Sequence, residues 1–317
     1  MARVEELSIE DIRRRYLENG EPVSSQILTR LQRDPRQGVR RLHAALKKRY
    51  ERERDERLRL SAMRHFEQLL WKSGVRDIAG VDEVGVGPLA GPVVAAAVVF
   101  PPQTDIAGVD DSKKLDAATR TKLAVEIRAK ASGVAVGVAS VAEIDSLNIY
   151  HAALLAMRRA LDALPLRPQH VLVDARTVPG VEVPQNTFNK GDGINFTIAA
   201  ASIIAKTERD RMMETLDREY PGYGFATHKG YGTPEHRDAL LRLGPSAIHR
   251  MSFPVIHELQ GEYCPLFYVL KRELDAAHTR QALGEFDTAL RAQADELAEQ
   301  ECKKLRLLAA RRWKVIV

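Results

Sequence analysis

Cysteine is nearly missing from this chain: Cys264 and Cys302 are the only two in 317 residues, far apart and outside any Cys-x-x-Cys spacing. Such a pair builds neither a disulfide framework nor a cysteine zinc site, and a reducing, cytoplasmic setting is the expected one. Long hydrophobic runs are missing as well. No stretch approaches the roughly 18 apolar residues of a membrane helix, so no membrane partner is expected. Met1 is soon followed by Arg3, Glu5 and Glu6 rather than by the apolar core of a secretory leader. The nine histidines lack ligand spacing, with His228, His236, His249 and His257 scattered through turn-rich sequence. Internal repeats and low-complexity tracts are absent too.

What is present is unevenly charged. Residues 1–70 hold 17 Lys or Arg against 12 Asp or Glu, which accounts for the whole net charge of +5. Residues 71–256 balance at 21 against 21, and 257–317 at 10 against 10. A basic arm beside a neutral body fits a polyanionic partner; a solvated, ion-paired helix face fits equally. The arm reads as helices. Ser8-Ile9-Glu10-Asp11 has the form of a capping box, Ser24 or Ser25 starts a second helix, and Asp34-Pro35 reads as an N-cap before a first-position proline. Val39, Leu42, Leu46, Leu60, Met63, Phe66 and Leu70 then recur at helical spacing until Gly74, with a break expected near Glu51–Glu56.

From Asp77 the texture becomes α/β. Ile78–Glu83, Val93–Phe100, Gly133–Ser140, His170–Asp174 and Asn186–Asp192 are the expected strands, and Ile149–Leu164 has a helical pattern. Ile198–Ala205 is apolar on every face, which predicts a buried helix continuing in polar form to about Tyr220. Pro221–Thr233 is a glycine- and aromatic-rich loop, and Pro234–Leu243 a short helix. Strands grouped first and then alternating with helices imply a mixed sheet flanked by helices. Leu283, Phe286, Leu290, Ala294, Leu297, Leu305 and Leu308 predict one extra packing helix in the tail.

The chemistry concentrates where strands end. Asp82 and Glu83 close an apolar run and lead directly into glycine-rich backbone, Gly85-Val86-Gly87-Pro88-Leu89-Ala90-Gly91. Asp174 ends Val171-Leu172-Val173, and Asp192 stands in Lys190-Gly191-Asp192-Gly193. Each acid alone is as readily a turn residue or helix cap. Together they place four carboxylates at element junctions, where one sheet can converge them. Such a cluster stays ionised only around a cation, and carboxylate oxygens suit magnesium or manganese better than zinc. A Gly85-x-Gly87-x-x-x-Gly91 spacing is superficially that of a dinucleotide fingerprint, but a strand follows it and Pro88 and Pro92 interrupt it.

These residues closely resemble ribonuclease HII, the type 2 ribonuclease H of bacteria. Residues 80–98 match its Asp-Glu pair and the Gly-Pro-Leu-Ala-Gly-Pro-Val-Val-Ala-Ala-Ala-Val run after it. Asp111-Ser112-Lys113-Lys114-Leu115, Ala199–Lys206, His228-Lys229-Gly230-Tyr231-Gly232-Thr233 and His249-Arg250-Met251-Ser252-Phe253 look like further family motifs, in family order. The resemblance covers about residues 76–256. It implies an α/β, ribonuclease H-like mixed β-sheet with helical N- and C-terminal extensions. Asp82, Glu83, Asp174 and Asp192 would then be both catalytic acids and ligands for Mn2+ or Mg2+. Lys113 would contact substrate phosphate with Ser112 beside it, Tyr231 would stack on the sugar after the ribonucleotide, and backbone at Gly85, Val86 and Gly87 would read the 2′-hydroxyl. The implied partners are RNA/DNA hybrids and DNA containing ribonucleotides, cut 5′ of the ribonucleotide by a monomer to leave 3′-hydroxyl and 5′-phosphate.

The resemblance also divides the chain into a basic substrate-binding extension (1–74), a catalytic domain (75–256) and a helical tail (257–317). Around Asp34-Pro35-Arg36-Gln37-Gly38-Val39 the arm resembles the N-terminal extension of some bacterial members. One departure stands out. Val86 occupies the centre of a triplet that is usually Gly-Arg-Gly in the family, so a phosphate-binding or loop-anchoring arginine is gone. Two other readings stay open: another metal-dependent nuclease on the same fold, and a catalytically weak nucleic-acid-binding protein.

Overall fold

The computed structural model describes residues 4–260 and 263–314. Five strands, β1 (Ile78–Val84), β2 (Val93–Val99), β3 (Gly133–Ala139), β4 (His170–Asp174) and β5 (Gln185–Phe188), form one mixed sheet in the order β3-β2-β1-β4-β5. β1 and β4 run parallel with Val81 opposite Val173. The next residue on each strand is an acid, so this register brings Asp82 and Asp174 out of the apolar core as neighbours. β5 is parallel to β4, with Phe188 opposite Asp174. β2 is buried at every position, the pattern of a strand covered on both faces. Among the described residues no helix is long and apolar enough to cross a membrane.

By compactness the chain forms two units. The first takes the chain up to Asp82 together with Ala96–Ala135 and Leu161–Ile204. Its N-terminal helices share a core of Ile12, Tyr16, Leu28, Leu31, Val39, Leu42 and Leu46. Ser8 caps the helix Ile9–Arg13 by accepting from the Asp11 amide, and Ser24 caps Ser25–Gln32. The expected cap at Asp34 lies two residues early. Helix Gln37–Met63 starts after Arg36, whose amide and guanidinium both bind the buried Asp34 carboxylate. The expected break near Glu51–Glu56 does not occur: ion pairs Lys47–Glu51 and Arg49–Glu53, each four residues apart, carry the helix through the charged stretch. It ends instead at Arg64, before helix His65–Lys72.

Glu67 of that short helix is buried and ties it to the start of helix Phe196–Glu219. It accepts from the Thr197 amide (3.1 Å) and hydroxyl (2.7 Å) and from Asn195 Nδ2 (3.1 Å). Burial pushes the Glu67 carboxyl up against these bonds. The same helix start packs so tightly on β1 that a Cβ on Gly80 would overlap the Thr197 backbone. The predicted fifth strand is shorter than expected, because Lys190 turns into the left-handed region and Gly191–Gly193 forms a 3-10 turn. Asp192 therefore sits on that turn and not at a strand end.

The second unit holds Glu83–Ala95, Val136–Ala160 and the chain from Ala205 onward. Three helices, Pro265–Ala276, Arg280–Ala292 and Glu299–Trp313, replace the single packing helix expected in the tail. They enclose their own core, including Phe267, Leu270, Leu274, Leu283, Phe286, Leu290 and Leu305. The apolar spacing from Leu283 to Leu308 falls on the second and third of these and shows neither the first helix nor the turns between them, where Thr279 caps the second.

Candidate active site

The end of β1 supplies Asp82, which is buried, and Glu83, which is half-buried; the end of β4 supplies half-buried Asp174. One carboxylate oxygen from each lies within 4.8 Å of the other two. Burial raises the Asp174 carboxyl above the usual aspartate range and the charge of Asp192 adds to this, against a 2.7 Å hydrogen bond from the Gly191 amide. Three converging carboxylates form a set of hard oxygen donors whose mutual repulsion a divalent cation relieves, so the residues present fit such an ion.

Asp192 stands outside this trio and is buried. Its Oδ2 accepts from Lys113 Nζ at 3.1 Å, while the rest of the lysine side chain reaches into solvent. Burial works against the Lys113 ammonium, but the bond to Asp192 and the charges of Asp192, Asp111 and Asp82 outweigh it and raise its pKa. The short turn Ser112–Lys114 that carries this lysine is fixed at two points. Asp111 accepts from the Lys113 amide (2.9 Å), and buried Ser112 accepts from the Ser202 hydroxyl (2.6 Å). Ser112 thus braces the turn that presents Lys113. Asp110 is occupied by Lys114 at 2.9 Å.

The glycine-rich loop belongs to the second unit. Gly85 has φ +93°, and a side chain there would collide with the Arg209 guanidinium and the Pro92 carbonyl. Val86 is half-buried and Gly87 exposed. Tyr231 is 43% exposed, with its ring 3.7 Å from where a Cβ of Gly87 would stand, so an open aromatic face borders the loop.

Sequence reasoning missed what holds this region. His236 Nδ1 lies 2.9 Å from the Tyr231 carbonyl, His236 Nε2 lies 3.0 Å from His249 Nε2, and His249 Nδ1 accepts from the Ser246 amide at 2.8 Å. With the Tyr231 carbonyl and the Ser246 amide fixing the ends, His236 donates from Nδ1 and His249 from Nε2. Burial pulls both rings down to about 4, which keeps this neutral relay intact at neutral pH. Arg209 and Arg250, each fully buried, hold the loop carbonyls. Arg250 lies within a recognised motif, which was its only sequence signal; spacing along the chain shows none of these contacts.

Comparison with known proteins matches the ribonuclease HII family model to residues 79–256 and the ribonuclease HII N-terminal domain model to residues 8–71. The chain is 50% identical to the ribonuclease HII of Myxococcus xanthus (strain DK1622) over 255 residues, covering 80% of this chain and 87% of that protein. It is also 50% identical to the ribonuclease HII of Geobacillus thermodenitrificans (strain NG80-2) over 231 residues, 73% of this chain and 89% of that one. Among solved structures, the ribonuclease H2 from Pyrococcus horikoshii OT3 superposes with a TM-score of 0.52 at 28% identity, covering 59% of this chain and 98% of that one. Because the matched stretch runs unbroken through the strand-end acids, the glycine-rich loop and the tyrosine beside it, the chain belongs to the ribonuclease HII family of type 2 ribonuclease H endonucleases.

Proposed function

We propose that this endonuclease is divalent-metal-dependent, and that it cuts the RNA strand of RNA/DNA hybrids and ribonucleotides embedded in duplex DNA. Cleavage falls on the 5′ side of the ribonucleotide and leaves 3′-hydroxyl and 5′-phosphate ends. The observation that carries this reading is the meeting of Asp82, Glu83 and Asp174 within 4.8 Å at the ends of two register-paired strands. Asp82, Glu83 and Asp174, with Asp192 beside them, would hold Mg2+ or Mn2+. When bound, such an ion supplies Lewis-acid polarisation of the phosphodiester and a lowered pKa for water.

The chain's own groups bind and orient. Lys113 offers a flexible cation to a substrate phosphate and is tethered to Asp192 until one arrives. Backbone at Gly85–Gly87 meets the 2′-hydroxyl, and the Tyr231 ring stacks on the following sugar. Residues 1–74 add affinity, residues 75–256 carry the chemistry, and 257–317 form a helical extension. The protein works as a monomer in the cytoplasm. An activity assay tests the metal step. Asp82→Asn should drop turnover to the blank, and a chelator should do the same to the parent, with the folded state unaltered by circular dichroism. Parent-like turnover in either case would rule the metal site out.

A further inference from the structure

Arg209 and Arg250 are fully buried, and among the described residues neither has a carboxylate within ion-pair distance. Their donors go to main-chain carbonyls instead. Arg250 donates Nη2 to Gly85 O (2.6 Å) and Gly91 O (2.8 Å), Nη1 to Val86 O (3.0 Å), and Nε to Gly91 O (3.0 Å). Arg209 donates Nε to Pro92 O (3.0 Å), Nη2 to Ala90 O (3.1 Å) and Nη1 to Lys229 O (2.8 Å). Burying two charges this way is costly. Burial and the charge of Arg209 pull the Arg250 guanidinium down to about 9, which still leaves it charged at neutral pH.

The planar trans peptide turns this into a directional device. A carbonyl and the amide that follows it point in opposite directions across one peptide plane. Drawing the Gly85 carbonyl inward therefore turns the Val86 amide outward, and drawing the Val86 carbonyl inward turns the Gly87 amide outward. Neither amide meets an acceptor among the described residues, and with Val86 half-buried and Gly87 exposed both are open to a ligand. We propose that Arg250, with Arg209 behind it, is a positioning residue that aims the Val86 and Gly87 amides at the ribose 2′-hydroxyl. This rests on the reading of Gly85–Gly87 as the sugar reader, and names what sets that reader's geometry. The planar fork is needed because one guanidinium spans four carbonyls, of Gly85, Val86, Gly91 and Pro92, from three nitrogens in one plane, which a single ammonium nitrogen cannot reproduce.

The test is a ratio of affinities measured in chelator, where nothing is cleaved. The full-length parent and Arg250→Lys are titrated with a DNA duplex carrying one ribonucleotide and with the same duplex in all-deoxy form. In the parent the ribonucleotide duplex should bind more tightly. Arg250→Lys should lower that preference about fivefold to tenfold, the weight of one hydrogen bond, while all-deoxy affinity stays within about twofold. A merely structural role would weaken both duplexes alike, and a preference kept at the parent value would overturn the proposal. Should Arg250→Lys fail to fold, Arg209→Lys takes its place, with a smaller fall in the same ratio expected and an unchanged ratio counting against the proposal. Hydrogen–deuterium exchange across 84–88 in the parent separates the two layers. Absence of ribonucleotide-specific protection there defeats the sugar-reader reading itself, whereas protection in the parent combined with an unchanged ratio in the variants defeats only the arginines' role.

Discussion

At the scale of single residues the most telling position is Val86. It lies half-buried in a loop whose backbone is pinned by Arg250, so the loop keeps its shape without a side-chain anchor of its own. On the proposed function, what the valine omits is a charged donor toward substrate phosphate, and a charge-assisted hydrogen bond contributes about 1.5–3 kcal/mol. At about 1.4 kcal/mol per factor of ten, that is roughly tenfold to a hundredfold in transition-state binding. Val86→Arg should therefore raise kcat/KM, and more so on a duplex with one ribonucleotide than on a long RNA/DNA hybrid, where more contacts share the binding. Equal rates for parent and variant on both substrates would make the valine a neutral replacement. Asp192 carries a related lesson. Its identity as an acid beside glycine was legible, but its place was not, because the left-handed Lys190 ends the strand early and moves it onto a turn facing Lys113.

At the scale of elements, the two strand ends and their convergence on one sheet were legible, and the register that sets them side by side was not. Asp82 and Asp174 each close a run of buried apolar residues, a pattern visible along the chain. That Val81 pairs with Val173, and so sets the two acids side by side, depends on a parallel pairing between distant segments. The charged stretch of helix Gln37–Met63 misled in the opposite direction, since its density of charge resembles a break while its four-residue pairing sustains the helix. The arginines beneath the loop were invisible for another reason: arginine ordinarily lies at the surface, and only a ring of carbonyls makes its burial tolerable. The N-terminal helices give a test at this scale. Arg33, Arg40, Arg41 and Lys48 are exposed and outside the ion pairs that run along these helices. Replacing all four with Gln should weaken duplex binding and reduce the slope of log affinity against log salt by about 0.9 per lost phosphate contact, leaving kcat unchanged. An unchanged slope would mark this charge as a solvated face. Substitution is preferable to deleting the arm, because Glu67 within it holds the start of helix Phe196–Glu219.

At the scale of the whole molecule, the chain combines stretches of different standing. The family models match residues 8–71 and 79–256, whereas the three tail helices close around a core of their own. Asp82, Asp174, Asp192 and Lys113 fall in the first unit, and Glu83, the glycine-rich loop and Tyr231 in the second. Fold and family were readable because long motifs occur in family order. The proposed function is metal-dependent recognition and cutting of ribonucleotides in a duplex. Its most direct test is to incubate the full-length protein with Mg2+ or Mn2+ and a DNA duplex containing one ribonucleotide, then map the cut and its ends. The expected result is a single break on the 5′ side of the ribonucleotide with 3′-hydroxyl and 5′-phosphate termini, and none in the all-deoxy duplex. Cleavage of the all-deoxy duplex, a break elsewhere, or an uncut ribonucleotide duplex with either metal would contradict it.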